Sequence, residues 1–325
     1  MKKTISLAFL SFILLLAVDI GAETESPAVP VPTVPVIRTR VEPSLIRLGD
    51  PLSLQVALTD TKLQPKTLKL YSVSNQLLGE SVFFPAGLDT EGTQLFTSII
   101  AVPTTSSRGP GRLRVEYAIL SEPSGTALGG YDIPISIEGR SFVREEIALG
   151  RENTQLRTLE DEQKYQEALE LRNILSRFNL SALYARGAFL LPLASQRRTS
   201  FFGDRRIYRY DTGKSDTSIH AGIDFGVPRG TEVHASASGR VVLARERIVT
   251  GNSVVIEHLP GVFSLYYHLD RIDVAEDSLL EAGALLGLSG STGLSTGPHL
   301  HWEIRVAGEA CDPDAFVARD VGQLK

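Results

Sequence analysis

Cysteine is nearly absent from this chain of 325 residues, and Cys311 stands alone. With no second thiol there is no intramolecular disulfide, so packed cores must hold the fold even in an oxidising compartment. Basic residues are in deficit, 33 Lys and Arg against 38 Asp and Glu, a net charge of -5. That balance argues against nucleic acid and against strong attraction to anionic polymers. The glycine-rich run Gly287-Leu288-Ser289-Gly290-Ser291-Thr292-Gly293 lacks the Gly-Lys-Ser/Thr ending of a phosphate loop and leads into a strand, so no nucleotide is expected. Long apolar runs are also missing. The stretch from Ile5 to Val18 falls short of the roughly 20 residues that cross a bilayer. With Lys2 and Lys3 before it and Ile20-Gly21-Ala22 behind, it reads as an export signal cleaved after Ala22, with a retained anchor as the alternative. No cysteine follows at once, so a lipid anchor is not expected.

Histidine is scarce too, six in all, and four of the six lie in three short fragments. His299-Leu300-His301-Trp302 puts two imidazoles two residues apart, which share a face only on a strand. The strand reading gives Leu300, Trp302, Ile304 and Val306 an apolar face and His299, His301, Glu303 and Arg305 a polar one. His220-Ala221-Gly222-Ile223-Asp224 places an imidazole and a carboxylate within reach of one ion. Tyr266-Tyr267-His268-Leu269 ends a run that alternates Leu265, Tyr267 and Leu269 on one side with Tyr266 and His268 on the other. A catalytic zinc takes three ligands from His, Asp or Glu and leaves a fourth position open. His220, Asp224 and one of the final pair make that count. The His-Glu-x-x-His segment of helical zinc proteases is absent, so acid-base work falls to the other histidines. His234 and His258 have surroundings that strand packing alone explains.

His220-x-x-x-Asp224, Tyr267-His268-Leu269 and Gly293-x-x-x-Gly297-Pro298-His299-Leu300-His301 together resemble the lysostaphin-type (LytM-domain) zinc metallopeptidases, which cut peptide cross-bridges of bacterial peptidoglycan. The resemblance covers roughly residues 198 to 317. It implies one Zn2+ per chain on His220, Asp224 and His301, with His268 and His299 as catalytic histidines flanking the open position. It further implies that Tyr208 or Tyr210, upstream of the first histidine, helps to stabilise the tetrahedral intermediate. The partners it implies are peptidoglycan peptide stems in the periplasm or cell envelope, and a regulatory protein meeting the N-terminal domain. A reading of another class is a non-catalytic wall-binding or regulatory scaffold that activates a separate hydrolase.

The rest of the chain has no such constellation. Residues 23–36 are rich in Pro and Val and read as an extended linker. From 37 to 140, alternating runs such as Leu52, Leu54, Val56 and Leu58, or Leu113, Val115, Tyr117 and Ile119, are separated by Gly/Pro turns, as in an Ig-like antiparallel β-sandwich. Residues 141–189 are expected to form a linker with a helix at about 158–178, and 190–325 the LytM-type antiparallel β-sheet domain. The fold class is therefore mainly β. The expected metal ligands and catalytic histidines all lie from His220 onward, so a fragment starting near Leu190 is expected to be sufficient for cleavage.

Overall fold

A computed structural model of the protein describes residues 36–58, 62–121 and 125–320. The expected export signal lies outside them, as does nearly all of the Pro-rich linker. Among the described residues no helix is long and apolar enough to cross a membrane.

The chain is mainly β. Its N-terminal part forms two sheets. One is antiparallel and runs in the order Val36–Glu42, Pro51–Leu58, Gln94–Ala101, Phe84–Leu88. The other runs Ile46–Arg47, Gly125–Glu138, Gly109–Ser121, Leu63–Ser72, Leu77–Val82, and only its first pair is parallel. Alternation works as expected here: Leu52, Leu54 and Val56 of one sheet and Leu68, Leu70, Leu113 and Val115 of the other are buried. The sheets approach each other where Leu63–Ser72 and Leu77–Val82 meet Gln94–Ala101.

The C-terminal half is built on a larger antiparallel sheet whose main path is Arg198–Ser200, Ile223–Phe225, Leu300–Val306, Val262–Ile272, Gly251–Leu259, Gly239–Arg247, Leu279–Leu280. Leu300, Trp302, Ile304 and Val306 all lie in its main core beside Ile223, Phe225, Val254, Ile256 and Tyr266. On the opposite face, Leu243, Val255, Phe263, Leu265 and Tyr267 form a second cluster, covered by Ile174 and Leu175. These two residues end a helix, Glu162–Leu175. It is shorter than the 158–178 expected, because the Asp161 side chain caps its start by accepting from the Lys164 amide. A separate helix, Arg151–Thr158, precedes it.

Ahead of both helices, Arg144–Ala148 pairs in parallel with Arg205–Arg209, which pairs in turn with Ser215–Ile219. The segment between the two halves is thus a strand of the C-terminal fold as well as a connection. Cys311 ends the strand Glu309–Cys311 and is buried, which pushes its thiol pKa well up.

His258 belongs to the packing, as its sequence surroundings suggested. It is fully buried, its Nδ1–H donating to the Ser238 carbonyl (2.8 Å) and its Nε2 accepting from the Ser264 hydroxyl (2.7 Å). Burial pushes it down to about 4. The unfolded chain takes up a proton at about 6.5, so the stability this site provides is complete above that pH and is lost as pH falls toward 4, by about 3 kcal/mol. The stability gap between the wild type and His258→Leu, from urea unfolding, should narrow by that amount between pH 7 and pH 4. A constant gap contradicts this assignment.

Candidate metal centre

Adjacent strands bring the site together. Asp224 and His301 are register partners on neighbouring strands, and His301 is also the partner of Tyr267 on its other side. The rings of Tyr267 and His301 are stacked, 5.5 Å apart and 5° from parallel. His220 arrives from the turn before Ile223–Phe225. Gly222 in that turn is required by close approach, since a Cβ would lie 2.2 Å from the Trp302 carbonyl oxygen.

His268 departs from the expected alternation. Asn252 pairs with Leu269 and Val254 with Tyr266, so Tyr267 and His268 together oppose Ser253 alone, which is a β-bulge. His268 takes φ +62, a left-handed conformation uncommon outside glycine, and its amide donates to the Thr250 carbonyl (2.9 Å). The bulge turns His268 to the face of Tyr267 and His301, away from Tyr266. Its ring comes 4.7 Å from that of His299. The loop behind it is closely packed: Gly293 has φ +70, and a Cβ there would lie 2.4 Å from the Gly251 nitrogen.

The protons in this cluster can be assigned from its outer hydrogen bonds. His220 Nδ1–H donates to the Phe201 carbonyl (2.7 Å), and His301 Nε2–H to Glu303 Oε1 (2.9 Å). Asp224 Oδ2 accepts from Arg206 Nη2 (2.6 Å). The inner atoms, His220 Nε2, Asp224 Oδ1 and His301 Nδ1, then converge at 3.1, 2.7 and 3.0 Å from one another. Three lone-pair atoms packed this closely need a cation or a proton between them. Among the described residues this is the one cluster of His, Cys, Asp and Glu placed to hold a metal ion. Two imidazoles and a carboxylate, each with its outer atom engaged by a carbonyl, a carboxylate or a guanidinium, form a donor set and supporting shell that fit zinc.

Burial would lower His301, but hydrogen bonds with Asp224 and Glu303 carry it up to about 9. Burial pushes His220 down, and the close contacts with His220 and His301 hold Asp224 well below the usual carboxylate range against its own burial.

His268 and His299 stand beside this cluster and are arranged alike. His268 Nδ1–H donates to the Thr292 carbonyl (2.8 Å) and His299 Nδ1–H to the Gly297 carbonyl (2.8 Å), which leaves both Nε2 atoms bare. His299 Nε2 is 3.9 Å from Asp224 Oδ1. Burial, with the neighbouring His299 and His301, pushes His268 down to about 3, and burial also lowers His299. Asp224, His268, His299 and His301 line a cleft of about 700 Å³.

Of the two tyrosines, Tyr208 lines this cleft, with the Arg157 guanidinium 4.0 Å above its ring. The Tyr210 hydroxyl is engaged by Arg157 Nε (3.1 Å) and lies 3.5 Å from Asp216. His234 Nδ1–H donates to the Gly283 carbonyl, outside the cleft. Three supporting residues were not anticipated in these roles: Arg206, Glu303, and Arg305, which donates to Glu303 (2.6 Å). The two-residue spacing of His301, Glu303 and Arg305 was a signal for the last two. Arg206 had none.

The chain matches Peptidase family M23 over residues 218–313. It carries an M23 peptidase domain. Over 132 residues, 40% of its length, it is 40% identical to the DD-carboxypeptidase/endopeptidase Mpg of Neisseria meningitidis serogroup B, of which that stretch is 30%. Over 118 residues it is 45% identical to the peptidoglycan DD-endopeptidase ShyA of Vibrio cholerae, 36% of this chain and 27% of that one. The chain thus spans less than a third of the length of these curated relatives. A solved structure from Pseudomonas aeruginosa, assigned to peptidase M23, shares the fold with a TM-score of 0.55 and 21% identity, over 85% of this chain and 95% of that one. That likeness extends beyond the M23 domain.

Proposed function

We propose that the chain is an exported, zinc-dependent endopeptidase of the periplasm or cell envelope that hydrolyses peptide cross-links of bacterial peptidoglycan. His220, Asp224 and His301 hold one zinc ion. The observation that carries this reading is the convergence of their three inner lone-pair atoms, each fixed by an outer hydrogen bond, beside two bare imidazole nitrogens in a cleft. The matched relatives named as DD-endopeptidases support the substrate class. In this reading residues 190–325 are the peptidase domain, and 37–140 an accessory domain that positions or occludes it and can meet a regulatory protein.

Zinc, when bound, polarises the scissile carbonyl and lowers the pKa of water. The protein's own groups do the rest. His299 is the base: its Nδ1–H is spent on Gly297, so Nε2 is free to take a proton in the cleft. His268 is held neutral by burial; it takes up at Nε2 the proton that His299 removes from water, their rings being 4.7 Å apart, and with it stabilises the oxyanion or protonates the leaving amine. The roles of these two can be exchanged. In the same reading Tyr208, which lines the cleft, adds a hydrogen bond to the oxyanion.

Digestion of purified sacculi by the full chain, followed by mass spectrometry of the released peptides, should convert cross-linked dimers to monomers with zinc and leave them intact with chelator. Release of glycan fragments with uncut peptides would overturn the proposal.

A further inference from the structure

The segment that joins the two halves reaches the metal centre through one side chain. Glu145, on the strand Arg144–Ala148, is the register partner of Arg206. Its Oε2 accepts from Arg206 Nε (3.3 Å) and from the Ser200 hydroxyl (2.9 Å). Arg206 in turn donates through Nη2 to Asp224 Oδ2 (2.6 Å). One guanidinium thus bridges two carboxylates, one from the connecting segment and one from the candidate zinc ligands. Arg206 and Asp224 side chains are only 12% and 10% exposed. At that burial a guanidinium bridging two carboxylates has few alternative arrangements, and its planar fork fixes the carboxylate plane it meets.

The next residue provides an internal contrast. Glu146 also pairs with an arginine of the facing strand, Arg209, at 3.0 Å, but both side chains are more than half exposed. This pair joins the same two strands without touching Asp224.

We propose that Glu145 is a positioning residue for the metal site: by holding Arg206 it fixes Asp224 Oδ2, so that Oδ1 faces His220 and His301. This rests on the reading of Asp224 as a zinc ligand. The consequence is that the connecting segment completes the M23 site of this protein, and that metal affinity depends on a residue 73 positions upstream of the matched domain.

The test uses the full chain and measures zinc affinity directly, by competition with a chromophoric chelator. Glu145→Gln should weaken zinc binding about 10- to 100-fold, the usual cost of an outer-shell partner. Its metal-free melting temperature should stay close to wild type, KM should be unchanged, and excess zinc should restore kcat. Arg206→Lys keeps the charge but cannot bridge both carboxylates, and should show the same loss. Glu146→Gln should bind zinc as the wild type does. Wild-type affinity in Glu145→Gln overturns the inference, and so does an equal loss in Glu146→Gln, which would mean that strand docking alone matters. Should Glu145→Gln fail to fold, wild-type affinity in Arg206→Lys overturns it instead. If the wild type itself holds no zinc, the proposed function falls, and this inference with it.

Discussion

His268→Ala keeps its zinc and loses turnover by about 10²- to 10⁴-fold, the usual contribution of a positioned proton-transfer group. The site is built so that these two properties separate. His268 makes none of the three inner contacts among His220, Asp224 and His301; its hydrogen bonds run to backbone carbonyls, from Nδ1–H to Thr292 and from its amide to Thr250. Removing the imidazole therefore leaves the donor set and its outer shell in place. The backbone at 268, with φ +62, is uncommon for alanine, so some stability should be lost. His268→Asn tolerates that conformation better and gives the same answer about chemistry. Zinc content by atomic absorption and kcat on a cross-linked peptide decide the matter together. Full turnover in either variant would remove His268 from the mechanism, whereas loss of zinc along with turnover would make it part of the metal site.

Asp224→Ala should do the reverse and remove the metal first. Asp224 Oδ1 lies within hydrogen-bonding distance of both His220 and His301, and its Oδ2 neutralises the buried Arg206. Without it, two imidazoles remain with no anionic ligand, so zinc affinity falls by more than the about 10- to 100-fold that an outer partner costs. Loss of one member of a buried ion pair costs about 3–5 kcal/mol, and Glu145 offsets part of this by keeping its own bond to Arg206. The variant should therefore fold less stably, hold little zinc and show no cleavage at any zinc concentration the wild type needs. Near-stoichiometric zinc in Asp224→Ala would mean that the ion sits elsewhere.

Residue type and spacing made much of this site legible. The pair at 299 and 301 needs a strand to converge, and His301 is on one, with His299 joined to Gly290 by a bridge just before it. The apolar alternation from Leu300 to Val306 located the main core on one side and left the other side for chemistry. What could not be read was anything set by register between distant strands. Asp224 lies beside His301 and Glu145 beside Arg206 because of pairings across 77 and 61 residues, which no local pattern encodes.

His268 shows a different limit. Strict alternation put it with Tyr266, and one extra residue at the bulge reversed its side while leaving its neighbours in the sheet. Bulges often re-aim a side chain next to an active site, but they leave no mark in hydrophobic periodicity.

The connecting segment was legible as a helix and not as a strand. Arg144–Ala148 carries charge at three of its five positions and pairs through its backbone, so it has no alternating apolar face to announce it. Its place in the fold changes one expectation. A fragment beginning near Leu190 lacks both this strand and Arg157, whose guanidinium covers Tyr208 at the cleft. Such a fragment should bind zinc more weakly than the whole chain.

The most direct test of the central claim is a zinc titration of the chelator-stripped full chain while the cleavage of a purified cross-linked muropeptide dimer is followed. Activity should be absent at the start, rise linearly with added zinc and break at one equivalent per chain, the products being the two peptide monomers. Activity that persists after stripping, or a chain that takes up one zinc and still leaves the dimer whole, would contradict it.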